Sequence, residues 1–342
     1  MKLKKAVIWV LLLSSGHFLN AQGEQGSESR GGEDVSRIKT ERLEYGDGSL
    51  YVGGMLDGKL HGYGYLLSPQ GDTLYTGYFA QGLKQGQGKY FFRNGNVYEG
   101  DWDNNRMHGQ GKMTYRNGDV YEGAWEADRR HGEGVYHYMD GSVYEGSFVE
   151  GIIQGRGSYT KQGLRYVGDW ENGVKQGMGY EIIMGPDQME EYRGAFERGK
   201  PHGQGYWRFE KDSAVSEYTG TWEEGRRIRE GMYTINGRVY TGVWQENSVT
   251  GTGEVEWEDG KYEGRFRQGF FHGKGVLVQN DGSRYEGDWV RSRRQGYGEQ
   301  TYAGGAVYTG EWHMDQPHGR GTKTHPDGRE EKGVFVNGKF KP

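Results

Sequence analysis

The sequence predicts an all-β chain: an elongated, single-layer antiparallel sheet of about twelve tandem β-hairpins. Three observations predict it. A phrase of about 23 residues recurs along most of the 342-residue chain, apolar and polar residues alternate with period two inside each copy, and 64 glycines stand beside 26 Tyr, 12 Phe and 10 Trp in a chain that is only 33% hydrophobic. Repetition at a fixed period implies stacked units, alternation is the period of a strand, and large rings without Leu and Ile clusters suit packing on flat backbone better than a thick two-layer core.

In chain order, the first segment is the one apolar run. Lys2, Lys4 and Lys5 precede AVIWVLLL (Ala6–Leu13), and Leu19-Asn20-Ala21 supplies small residues where a peptidase would cut, so residues 1–21 read as a secretory signal peptide, with an uncleaved anchor as the alternative. The apolar stretch is short for a membrane span. Residues 22–40, which include QGEQGSESRGGEDVSR, are small, polar and charged and read as a disordered linker. Export to the periplasm, the outer surface or the medium is expected. With no cysteine in the chain, the protein carries no disulfide, no lipidated cysteine and no thiolate metal site.

The repeat array is expected over residues 41–340. With the Tyr of Y-x-G as position 1, full copies start at Tyr51, Tyr75, Tyr98, Tyr121, Tyr144, Tyr166, Tyr192, Tyr218, Tyr240, Tyr262, Tyr285 and Tyr308, tiling residues 51–330, and partial copies flank them. Positions 1, 3 and 5 (Tyr98, Gly100 and Trp102) point to one face and positions 2 and 4 (Glu99 and Asp101) to the other. Position 5 is Trp seven times, Phe four times and Met once. Positions 3 and 14 are Gly in all twelve copies, and position 12 fails only at Arg229. Glycine weakens a strand, so its repetition calls for a reason: rings at positions 1 and 5 approach the backbone too closely for a side chain. Copies close on turn signals such as Asn94-Gly95, Asn117-Gly118 and Asp281-Gly282.

The phrase Y-x-G-x-W-x-x-G-x-x-H-G-x-G, nearly whole in Tyr166–Gly179 and Tyr192–Gly205, resembles the MORN (membrane occupation and recognition nexus) repeat. The resemblance implies an elongated antiparallel sheet of hairpins, and a role as a scaffold, a lipid-associated protein or an appendage to an enzyme.

Several chemistries are argued against by spacing. Position 11 is His in six copies (His61, His108, His131, His202, His272 and His318), yet equivalent positions fall about 10 Å apart, too far to share one ion. Gln85, Gln154, Gln176 and Gln295 occupy the same position elsewhere, so a structural hydrogen-bonding role is expected. Asp101, Asp103 and Asn105 start like a calcium loop, but Arg106 and Lys112 stand where Gly and Glu belong. No phosphate loop and no nucleophile motif occurs, so no enzyme, cofactor or catalytic residue is expected.

The candidate binding residues are the cations at positions 9, 10 and 12 near the hairpin tips: Lys59, Lys84, Arg106, Arg129, Arg130, Lys175, Lys200, Arg226, Arg227, Arg229, Arg293 and Arg294. They form a basic stripe along one edge of a chain with formal charge -5, which argues against nucleic acid and leaves two partner classes open. One is a protein, for which the array acts as a non-catalytic scaffold, and the other is an anionic membrane surface. Pairing of array ends into a homodimer is a further expectation. Copies six and seven run to 26 residues, and a bend or local site is expected around residues 184–231.

Overall fold

The computed structural model describes residues 37–342; the predicted signal peptide and most of the predicted linker lie outside the described residues. The first strand, Lys39–Glu44, opens inside the stretch assigned to the linker. From there 27 strands run to Lys339–Lys341 without an α-helix. Every strand pairs antiparallel with the next in sequence, from the pairing of Lys39–Glu44 with Leu50–Leu56 to that of Glu330–Val336 with Lys339–Lys341. The result is one open, meandering sheet. Hairpin tips therefore line one long edge and the turns between copies line the other.

The register aligns the glycines. Gly88 pairs Gly100, Gly100 pairs Gly111, and Gly111 pairs Gly123. The row continues strand by strand to the pairing of Gly321 with Gly333. A Cβ on Gly111 would stand 2.3 Å from the Tyr98 hydroxyl oxygen, and one on Gly100 2.4 Å from the Gly111 Cα. Every position-1 tyrosine but Tyr240 lies on this backbone rail, where only hydrogen fits. The rings cover glycines of their own copy, whereas stacking of identical units suggests cover from the next.

Each hairpin also carries a bulge. Gly100 opposes Gly111 and Trp102 opposes Met107, so the second strand holds two extra residues. Position 12 absorbs the irregularity with φ between +57° (Gly109) and +85° (Gly319), and Arg229 sits at +55° in the one copy without glycine there. The Asp101 carboxylate accepts the freed Gln110 N–H at 2.8 Å, as Asp169 does for Met178 and Asp288 for Tyr297. Tip turns have two residues at positive φ, Asn104 at +48° and Asn105 at +69°, the two-residue hairpin loop whose twist matches the strands. Seven of the twelve turns that follow a full copy close with a single left-handed glycine such as Gly95, whose N–H bonds Phe92 O.

The extra residues of copies six and seven lengthen strands rather than loops. Val174–Met184 and Lys200–Lys211 have 11 and 12 residues, and the latter turns through Asp212 and Ser213. The aromatic row passes through this region unbroken, with Tyr192 against Trp222 and Tyr218 against Trp244.

Candidate interaction surface

A single-layer sheet has no second layer to cover its apolar face, so the rings cover one another. Tyr98 meets Trp102 of its own copy at 5.3 Å and Trp125 of the next at 5.2 Å, both near-perpendicular. Tyr121 then meets Trp125 and Phe148, and Tyr144 meets Phe148 and Trp170. Edge-to-face contact suits the ring quadrupoles and contributes about 0.5–1.5 kcal/mol per pair beyond burial. Polar atoms on these rings are satisfied locally. The Tyr98 hydroxyl donates to Asp101 O at 2.9 Å, and the Trp125 indole N–H donates to Gly111 O at 3.0 Å. All seven position-5 tryptophans bond the position-14 carbonyl of the preceding copy in this way. The aromatic face is thus the core of the protein: Tyr98, Tyr121 and Tyr144 have no accessible surface.

This packing divides the basic stripe. Position-9 cations Lys59, Arg106, Arg129, Lys200, Arg226 and Arg293 are exposed, and so is Arg229. Position-10 cations Lys84, Arg130, Lys175, Arg227 and Arg294 are half-buried and turn inward over the rings. Lys84 Nζ lies 4.2 Å from the Tyr90 centroid and 4.6 Å from that of Trp102. The Arg227 guanidinium lies within 5.5 Å of Trp207, Tyr218, Tyr233 and Trp244. Burial pushes the Lys84, Lys175 and Arg227 pKa values down. Arg130 also donates to Gly151 O at 2.7 Å, and Arg294 to Asp315 O at 3.0 Å, each gripping the tip of the following hairpin. These five pack over the rings, so within the basic stripe expected from sequence the exposed members are the position-9 cations and Arg229. The reason is strand alternation: neighbours at positions 9 and 10 face opposite ways.

The exposed row is interrupted and partly neutralised. Arg129 pairs with Glu150, and Arg226 with Glu246 at 3.4 Å, both acids at position 7 of the next copy. In three of the six copies where position 9 is not basic, it exposes an apolar side chain: Ile152 at 49%, Val174 at 42% and Phe270 at 52%. Those residues were missed because a charge search skips them, although position 9 marks them. The opposite face is less acidic than its Glu and Asp suggest, since Lys89 bonds Glu99 at 2.9 Å and Lys112 bonds Glu122 at 2.7 Å across strands.

At position 11, Gln85, Gln154 and Gln176 accept the backbone N–H of Asn104, Asn172 and Arg198 in the following tips, at 3.0–3.1 Å. Those contacts carry the structural role expected of this position, and His318 Nδ1 faces the Asn337 N–H in the same manner at 3.5 Å. Among the described residues no group of three or more His, Asp or Glu side chains is placed to hold a metal ion.

The profile of the MORN repeat matches ten stretches: residues 51–73, 75–97, 98–120, 121–143, 144–162, 166–182, 192–213, 262–284, 285–307 and 308–328. It passes over residues 214–261, where the structure nonetheless continues the hairpins. Among solved structures, a catalytically inactive virginiamycin B lyase from Staphylococcus aureus with quinupristin is 10% identical over 90% of this chain and 88% of its own, at a TM-score of 0.13. A streptogramin B lyase is 12% identical over 88% and 84%, also at 0.13. At that score neither likeness bears on fold or chemistry.

Proposed function

Because the chain belongs to the MORN repeat family, we propose that it is a non-catalytic protein–protein interaction scaffold whose recognition surface is the edge formed by the hairpin tips. The observation that carries this reading is the spending of the aromatic face on internal packing, while the hairpin tips expose cations and large apolar side chains together along one edge. Arg106, Lys200 and Arg293 share that edge with Ile152, Val174 and Phe270. A mixed basic and apolar row suits a partner with an acidic, partly apolar face.

The same mixture favours a second reading, peripheral attachment to anionic membrane, in which apolar tips insert between headgroups held by the cations. Sedimentation with anionic and neutral vesicles across a salt series separates the two. Binding that requires anionic lipid, falls with salt and is lost in an Arg106→Gln, Lys200→Gln, Arg293→Gln protein supports attachment. No vesicle binding, with tip-dependent capture of a defined envelope protein that resists salt, supports the scaffold.

We further propose an exported protein, on the strength of Lys2, Lys4 and Lys5 ahead of Ala6–Leu13. N-terminal sequencing of protein recovered outside the cytoplasm tests it: a start at Gln22 agrees, and recovery only in the cytoplasm does not. The exposed end strand Lys39–Glu44 offers unpaired backbone. A two-fold antiparallel pair must set one residue opposite itself, Glu41 or Arg42 in the central registers, and each juxtaposes like charges. A monomeric array is therefore the working unit, tested by sedimentation equilibrium.

A further inference from the structure

One copy departs from the aromatic row. Tyr240 occupies position 1, yet its ring pairs neither with Trp244 of its own copy nor with Phe266 of the next, and its ring contact is with Tyr233 at 6.3 Å. Its hydroxyl makes no hydrogen bond with the described residues, whereas the other eleven position-1 tyrosines donate to the carbonyl three residues on. Val249 takes the space above Gly242 that a tyrosine fills elsewhere.

Nearby, Trp257 is the one tryptophan among the described residues whose indole N–H meets no acceptor. The other eight bond a glycine carbonyl or, for Trp207, Glu190. Arg238 lies over the Trp257 ring at 5.8 Å and forms no ion pair with the described residues.

These three donors line one concavity of about 380 Å³ on the aromatic face, within the roughly 300–1,000 Å³ typical of small-ligand sites. Its origin is legible in position 16. That position holds a ring in Tyr90, Tyr136, Tyr159, Trp207 and Tyr233; Leu66, Met113 and Glu181 interrupt the row singly, but four successive copies carry Val255, Leu277, Gln300 and Lys323, and the run of missing rings leaves the hollow. Val255, Phe271 and Leu277 make an apolar wall. On the far side Arg294 is held by Asp315 and by Gln300, which is 6% exposed. Asp315 is the one carboxylate lining the space, so with Arg238 and Arg294 the site keeps a positive excess.

We propose that this hollow binds a small organic anion with a flat apolar body, of which an aromatic carboxylate is the simplest representative. The body lies against Val255, Phe271 and Leu277. The anionic group accepts from Arg238, the Tyr240 hydroxyl and the Trp257 indole N–H, donors that have no acceptor among the described residues.

The test is two-dimensional NMR of the indole N–H groups of the full chain, titrated with indole-3-acetate and with its neutral analogue indole-3-acetamide. Trp257→Phe assigns the signal. The expected result is a saturable shift of the Trp257 resonance with the carboxylate, while the tryptophans of copies three and four, Trp102 and Trp125, stay fixed. Affinity falls about tenfold or more with the amide and in Arg238→Gln, the scale of one lost charged hydrogen bond. Arg238 is exposed, so an unchanged spectrum elsewhere shows that this variant is folded. Absence of a saturable shift, or equal affinity for acid and amide in both proteins, overturns the proposal.

Discussion

The ring of Tyr98 meets that of Trp125, one hairpin further along, edge to face, with centroids 5.2 Å apart and planes at 80°. That contact repeats down the array, with the exception of Tyr240, and links each unit to the next. A hairpin of two strands is marginal alone, so the stability of each copy comes from its neighbours. The predictions follow from how the contact is held.

Adding one methyl group under the ring separates a packing glycine from a turn glycine. Gly111→Ala forces a Cβ to 2.3 Å from the Tyr98 hydroxyl oxygen and should cost about 3 kcal/mol, the upper scale of overpacking. Gly304→Ala, with nothing within 4 Å, should stay within about 0.5 kcal/mol. Urea unfolding midpoints of the two variants provide the comparison.

Arg229 is the only position-12 residue that is not glycine, and it holds φ of +55°. Its side chain is exposed, so Arg229→Gly removes backbone strain at little loss of contact. A gain of about 1 kcal/mol is expected, seen as a higher urea midpoint.

Alkali should unfold the array through its tyrosines. Burial pushes the phenols of Tyr51, Tyr121, Tyr192, Tyr218 and Tyr308 from 10.0 up to about 12. Each group is neutral in the folded chain while its unfolded counterpart ionises. The unfolded state then binds fewer protons, so stability is intact below pH 10 and falls as pH rises from there through 12. Tyrosinate absorbance should appear together with loss of circular dichroism, not ahead of it.

The two classes of tip cation should behave oppositely. Lys84→Gln loses contacts with Tyr90 and Trp102 and is expected to cost about 1–2 kcal/mol. Arg106→Gln should leave stability within about 0.5 kcal/mol and act instead on the salt dependence of partner or vesicle binding. A thermal melt beside a binding isotherm distinguishes them.

Much of this architecture was legible in the sequence, because period and alternation are backbone properties that every copy restates. The hairpin boundaries, the facing of Tyr98, Gly100 and Trp102, and the need for glycine under a ring all follow from spacing. The inward turn of Lys84 and Arg227 did not, since it depends on the two-residue tip turn that sets position 10 opposite the ring at position 5. Nor did the location of the irregularity. Length changes pointed to residues 184–231, but added residues extend paired strands at little cost, whereas losing rings at Val255, Leu277 and Gln300 opens the face. Hydrogen exchange should accordingly show ordinary protection over residues 184–231 and a minimum over Arg238–Gln245 and Ser248–Trp257.

The most direct test of the central claim is a double-mutant cycle on Tyr98 and Trp125, each replaced by Leu, with the same cycle on Tyr240 and Phe266, the equivalent positions that do not touch. The account predicts a coupling energy of about 0.5–1.5 kcal/mol for the first pair and none for the second. Additive effects at Tyr98 and Trp125, or equal coupling at both pairs, would contradict it.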